Sequence, residues 1–111
     1  MTEVHVLGDG CAAMMLASRA GELGGQTLSI VRPEGAPPSR DHMLGFWGTP
    51  DLEFAARLAR HAWPNWSIIT ETDTAVLSSL AHPYHVMHKT HFIEDAQAQA
   101  KEHGVRFINQ Q

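Results

Sequence analysis

Two glycines and an alanine near the start of the chain stand at a spacing that suits anion binding: Gly8-Asp9-Gly10-Cys11-Ala12-Ala13 reads G-x-G-x-x-A. In such a turn the first glycine allows a tight reversal and the second lets the backbone approach a pyrophosphate. The third small residue lets a helix pack close to a strand. The bare N–H groups that open the helix then receive the anion. Gly8, Gly10, Cys11, Ala12 and Ala13 are therefore the candidate residues for holding the diphosphate of FAD or NAD(P). Elsewhere the same glycines would serve only the geometry of a turn, so the neighbouring sequence decides how much weight they carry.

A dinucleotide site of this kind normally has an acidic residue at the end of the second strand, about 20 residues on, to hold ribose hydroxyls. Arg32 occupies that place, and Glu34 follows two residues later. Arg32 suits a 2′-phosphate, as NADP sites do, whereas Glu34 is the acid that would reach the ribose after a small shift of the loop. FAD is the expected cofactor and NADP the alternative. The remaining reading is a turn that has lost its ligand, in a non-catalytic domain that acts through protein association.

No side chain is assigned a catalytic role. Cys11 lies at a predicted helix N-terminus, a position that suits a reactive thiol, but no base is evident, and the turn needs a small residue there. His82, His85, His88 and His91 recur every third residue. Pro83 argues against the continuous helix that would align them, and no thiolate or carboxylate at zinc-site spacing accompanies them. Hydrogen-bonded histidines are the expectation, and no metal site is assigned. Trp47, Trp63 and Trp66 are either substrate-cavity aromatics or core residues beside helices.

The elements around the turn are those of a βαβ unit. Glu3 to Leu7 reads as a short buried strand. Cys11 to Leu23 reads as a helix with an apolar stripe of Ala12, Leu16, Ala20 and Leu23, stopped by Gly24 and Gly25. Thr27 to Val31 is a second strand, parallel to the first, since a helix of about a dozen residues matches a right-handed crossover. Arg32 to Gly48, with Pro33, Gly35, Pro37, Pro38, Gly45 and Gly48, reads as a long irregular loop.

Thr49-Pro50-Asp51 signals a helix start, with the helix running to about His61 and burying Leu52, Ala55, Ala56 and Ala59. Ser67 to Glu71 and Thr74 to Leu80 form an expected antiparallel pair about a Thr72-Asp73 connection. A last helix begins near Thr90, buries Phe92, Ala96 and Ala100, and ends at Gly104 with His103 in its final turn. Val105 to Ile108 is the final strand. The predicted architecture is α/β: a Rossmann-like βαβ unit with a small three-stranded parallel core, ordered last, second, first strand, plus a short antiparallel pair.

Composition bounds the partners. The chain has 111 residues, 43% hydrophobic and 18% charged, which fits one FAD/NAD(P)-binding domain, natural or truncated. A net charge of −4 with no basic run leaves no electrostatic footprint for nucleic acid. One cysteine makes no internal disulfide, and no signal segment precedes the first strand, so a cytoplasmic location is expected. No stretch approaches the roughly 18 apolar residues of a membrane span. The final strand has no following helix to cover it, which offers a sheet edge for a homo-oligomer.

Taken together, several strings resemble the lycopene beta-cyclases, flavoproteins that close the end rings of linear carotenoids. They are the opening V-H-V-L-G-D-G-C-A-A-M-M-L-A, then Arg40-Asp41-His42 leading to Phe46-Trp47, then His61-Ala62-Trp63 followed by Trp66. Leu80 to Tyr84, Phe92 and the Gly104 to Phe107 string complete the series. The resemblance covers nearly the whole chain but only the N-terminal part of a much longer protein. It implies FAD bound at the Gly8 to Ala13 turn, with no net redox change during an acid-catalysed cyclisation. It adds His42 and Trp47 as loop residues of interest and membrane-surface association of the parent enzyme. The acidic catalytic motif of that family has no counterpart here, Ala13 replaces its third glycine, and Leu44 replaces an aromatic. The same turn also serves other flavin-dependent oxidoreductases.

Overall fold

The computed structural model describes residues 2–37 and 40–110. The chain forms two compact units, Met1–Arg40 with Ile93–Gln111, and Asp41–Phe92.

In the first unit, strands β1 (Glu3–Leu7), β2 (Thr27–Pro33) and β8 (Arg106–Gln110) form a parallel sheet in the order β1-β2-β8. This is the expected order. Its register aligns Val4 with Leu28, Val6 with Ile30, and Ile30 with Phe107. These alternate residues share one face, and on that face they pack with Ala13 and Ala17 from the first helix, with Ala20 just after it, and with Ala100 and Val105 near the last strand. The small helical side chains let the helices come close to the sheet, and the branched strand residues fill the space between.

Helix α1 (Cys11–Ser18) differs from its expected form in length and in face. Met14 and Ala17 are buried, whereas Leu16 is 41% exposed and Ala12 also faces outward. The periodicity alone favoured the leucine, but the helix turns Met14 and Ala17 inward, with Ala13 against the core, and leaves Leu16 on its outer side. The helix gives way after Ser18 to a 3-10 turn over Ala20–Glu22. Gly21 lies there with the His103 ring where a Cβ would be, 2.8 Å from Nδ1. Gly24 and Gly25 then adopt φ of 63° and 87°, the left-handed stop expected of them.

The second unit holds an antiparallel sheet in the order β3-β7-β4, from β3 (Met43–Trp47), β7 (Tyr84–His88) and β4 (His61–Trp63). None of it was expected. Residues 32–48 are not one irregular loop, because β2 extends through Pro33 and β3 occupies 43–47. Pro38, counted in that loop, lies outside the described residues. The helix expected to run to His61 is a 3-10 turn over Pro50–Leu52 followed by α2 (Glu53–Ala56). Pro50 takes its place at the start, but the Thr49 side chain makes no capping bond. The Arg60 N–H instead donates to the Val86 carbonyl at 2.8 Å, so a sheet partner distant in sequence captures this backbone before the helix can continue.

The antiparallel pair is present as β5 (Asn65–Ile69) and β6 (Thr74–Ser78), each strand ending earlier than expected. The turn takes four residues because Thr70 closes it: its hydroxyl accepts the Asp73 N–H at 3.0 Å. Helix α3 (Lys89–Glu102) buries Phe92, Ala96 and Ala100 as predicted, and Gly104 follows it with φ of 78°. Among the described residues no helix is long and apolar enough to cross a membrane.

Candidate functional site

The turn between β1 and α1 is built by two glycines with different reasons for being there. Gly8 has φ of 110°, which L side chains rarely adopt, and its N–H continues the ladder to the Val31 carbonyl at 2.7 Å. Gly10 has φ of −70° and ψ of −178° at the helix N-cap, a conformation open to any residue. A Cβ placed on Gly10 meets nothing within 4 Å. Ser, Thr, Asp or Asn would cap this helix better than glycine. Neither the backbone conformation nor the packing of the protein calls for glycine at this position.

The first intrahelical bond runs from the Met14 N–H to the Gly10 carbonyl at 2.9 Å, so the amides of Cys11, Ala12 and Ala13 precede the helical ladder. Such N–H groups concentrate partial positive charge at a helix N-terminus. No acidic side chain lies in that first turn, and no side chain caps it. Ala13 packs against the core cluster, Ala12 is exposed, and Cys11 is a free, half-buried thiol.

Beside this turn a cleft of about 410 Å³ opens at the carboxyl ends of the parallel strands, lined by Leu7, Gly8, Val31, Arg32, Pro33 and Gln110. In open α/β sheets this is the side on which ligands bind. Leu7 is 84% exposed there, a large apolar side chain left to water. Arg32, also in the wall, reaches the Asp9 carboxylate, Nη1 to Oδ2 3.3 Å. Gly8 and Arg32 are thus brought to one cleft. Glu34 is not part of its wall: it is exposed in the turn after β2, and its N–H donates to the Gln110 carbonyl at 2.6 Å.

Asp9 is the residue that sequence reasoning passed over, as an unspecified position inside the motif. The signal was present in the charges: an acid just beyond one strand and a base at the end of its parallel neighbour must meet once Leu7 pairs with Val31.

The histidines of the second unit are placed by strand alternation. His85 stacks on Phe46, with ring centroids 5.1 Å apart. His82 Nδ1 lies 2.9 Å from the Gly48 carbonyl. His88 is held from both sides, by Asp41 at 3.3 Å on Nδ1 and by Arg60 at 3.0 Å on Nε2. A guanidinium only donates, so Nε2 accepts and the Nδ1–H points to Asp41. His91 packs edge-on to His88 at 5.3 Å. Among the described residues no group of three or more His, Cys, Asp or Glu is placed to hold a metal ion. The Asp41 carboxyl sits below its ordinary value of 3.8, chiefly because the Thr90 N–H donates to it, with His88 adding to the effect. His42, on the approach to β3, is exposed, and its carbonyl accepts the Lys89 N–H at 2.9 Å.

No family model and no curated protein matches the sequence. Solved structures do match the fold. The tetrameric form of 2-methyl-3-hydroxypyridine-5-carboxylic acid oxygenase is similar with a TM-score of 0.72 and 16% identity, over 96% of this chain and 31% of that one. CtdE, solved in complex with FAD and a substrate, is similar with a TM-score of 0.65 and 16% identity, over 96% and 30%. The peptidyl tryptophan dihydroxylase QhpG is similar with a TM-score of 0.55 and 14% identity, over 96% and 24%. This chain therefore has the fold found in part of these oxygenases and spans about a third of their length or less.

Proposed function

We propose that this chain binds FAD through the turn from Gly8 to Ala13, as the cofactor-binding part of a flavin-dependent enzyme. Gly10 carries the reading. A glycine that neither its own dihedrals nor its neighbours require, at a helix N-cap where other residues stabilise better, leaves room for something outside the protein to approach. A diphosphate fits that space, because the amides of Cys11, Ala12 and Ala13 present donors and partial positive charge without an acidic side chain in the helical first turn. The open cleft at the strand ends extends the site, and exposed Leu7 offers an apolar contact to a ligand ring. The FAD held by CtdE, in a chain of the same fold, supports this choice over NADP.

Two reactions of a parent enzyme remain compatible with this cofactor. The oxygenase neighbours support oxygen insertion. The strings Arg40 to Trp47 and His61 to Trp66 support the end-ring cyclisation of the lycopene beta-cyclase resemblance. The runner-up, a ligand-free domain acting through association, draws on the free edge of β8 and on the tetrameric form of one neighbour.

Passing the purified chain with FAD through a sizing column separates the outcomes. Co-elution of flavin with wild-type protein, and at least about a tenfold loss of affinity in a Gly10→Val chain that remains folded, is expected from steric exclusion of the diphosphate. A colourless wild-type chain, or a Gly10→Val chain that binds equally well, would overturn the proposal.

A further inference from the structure

We propose that the face of the β3-β7-β4 sheet bearing Trp47, Tyr84 and Trp63 is a binding site for an uncharged, flat, conjugated ring system; this does not rest on the dinucleotide reading.

The strand register puts these residues in one row. Trp47 pairs with Tyr84 across β3 and β7, and Trp63 pairs with Tyr84 across β4 and β7. An aromatic side chain therefore stands at the same level on all three strands. Trp47 and Trp63 are 48% and 45% exposed, so the outer two present ring surface to solvent rather than filling a core. The Trp47 ring meets Tyr84 at 5.1 Å and, on another side, Trp66 edge-on at 5.5 Å, which fixes its orientation. Two strand spacings set Trp47 and Trp63 about 10 Å apart at their backbones, enough to admit one flat ring, which with a gap of about 3.5 Å on either side takes up about 7 Å.

Gly45 is a second, independent sign of construction. It lies on the same face, level with Val86, and a Cβ there would overlap the Tyr84 hydroxyl and come within 2.6 Å of Cζ. A glycine inside a strand weakens it, and here it lets the phenol ring of Tyr84 lie across β3 over Gly45, away from the level shared by Trp47 and Trp63.

Charge decides the class of ligand. None of the three strands contains Asp, Glu, Lys or Arg. The charged groups at the opposite end of this face, Asp41 and Arg60, are both engaged with His88. Asp41 and Arg60 being engaged, and the three strands carrying no acidic or basic side chain other than histidine, a neutral ring system is favoured and a charged one carries an uncompensated desolvation cost.

The chain has three tryptophans, and all three belong to this patch, so their indole N–H resonances report on it alone. In isotope-labelled protein titrated with naphthol at neutral pH, the Trp47 and Trp63 signals should shift saturably. Octanol and naphthalenesulfonate should bind at least several-fold more weakly. Trp63→Ala, at an exposed position that leaves the amide spectrum dispersed, should weaken naphthol binding several-fold, up to about tenfold. The proposal is overturned by shifts that do not saturate, by octanol or the sulfonate binding as tightly, or by an unchanged affinity in Trp63→Ala. It is overturned equally if the indole signals move with protein concentration without any probe, since a second copy would then cover the row.

Discussion

The Arg32 guanidinium stands 3.3 Å from the Asp9 carboxylate, tying the end of β2 to the middle of the turn proposed to receive the diphosphate. Each partner changes what the other means. Arg32 at the ribose position suggests a 2′-phosphate, yet its charge is already answered from within the turn, so a 2′-phosphate must displace Asp9 to reach it.

Removing that competitor should therefore favour NADP. In Asp9→Asn, affinity for NADP is expected to rise several-fold, up to about tenfold, relative to FAD, because a freed guanidinium gains a charge-assisted contact to phosphate. Stability should fall by less than about 1 kcal/mol, since both side chains are a third or more exposed. Parallel titrations with the two nucleotides check the first point and urea unfolding the second; an unchanged ratio of affinities would show that Arg32 does not face the ribose.

The two glycines of the turn should respond differently to substitution. Gly8→Ala forces a side chain to φ of 110° and is expected to cost about 1–3 kcal/mol. Gly10→Ala introduces no clash and should cost about 0.5–1 kcal/mol, because alanine is a poorer N-cap than glycine, while weakening FAD uptake. Urea midpoints combined with flavin titration separate the two effects.

Ser29 is 1% exposed in the middle of β2, and its hydroxyl has no hydrogen-bond partner among the described residues. Ser29→Ala should therefore stabilise the chain by about 1 kcal/mol, the penalty of a buried hydroxyl left unsatisfied. A lower thermal midpoint in this variant would mean that the hydroxyl finds a partner in solution.

Asp41 links the second unit to pH. Its folded carboxyl is held below 3.8 by the Thr90 N–H first and by His88 in addition. A depressed folded value means that the stabilisation is fully present above the ordinary carboxylate value and is lost as pH falls through the folded one. Urea midpoints should therefore drop on acidification below about pH 4, and Asp41→Asn should flatten that part of the profile. An identical acid limb in the variant would assign the effect to other carboxylates.

The histidines illustrate how spacing misleads when the element is unknown. Four of them at every third residue look like one group on paper, but β7 turns His85 and His88 to opposite faces of the sheet, the first onto Phe46 and the second onto Asp41 and Arg60.

What the sequence by itself determined is the β1-α1-β2 unit, the G-x-G-x-x-A turn, α3 with its buried alanines, and the parallel order β1-β2-β8. All of these rest on short-range rules: strand residues, glycine stops, helical periodicity and the handedness of a crossover. Only the tertiary structure decided the rest. The β3-β7-β4 sheet joins segments about 20 to 45 residues apart, and such pairing follows from closure of distant contacts that no local window contains. It turned the predicted helix end into β4 and set three aromatics in one row; in the first unit, packing left Leu16 outside while Met14 and Ala17 went in. The Asp9–Arg32 pair belongs to both accounts: each charge is visible in the chain, but their meeting depends on two strand ends lying side by side.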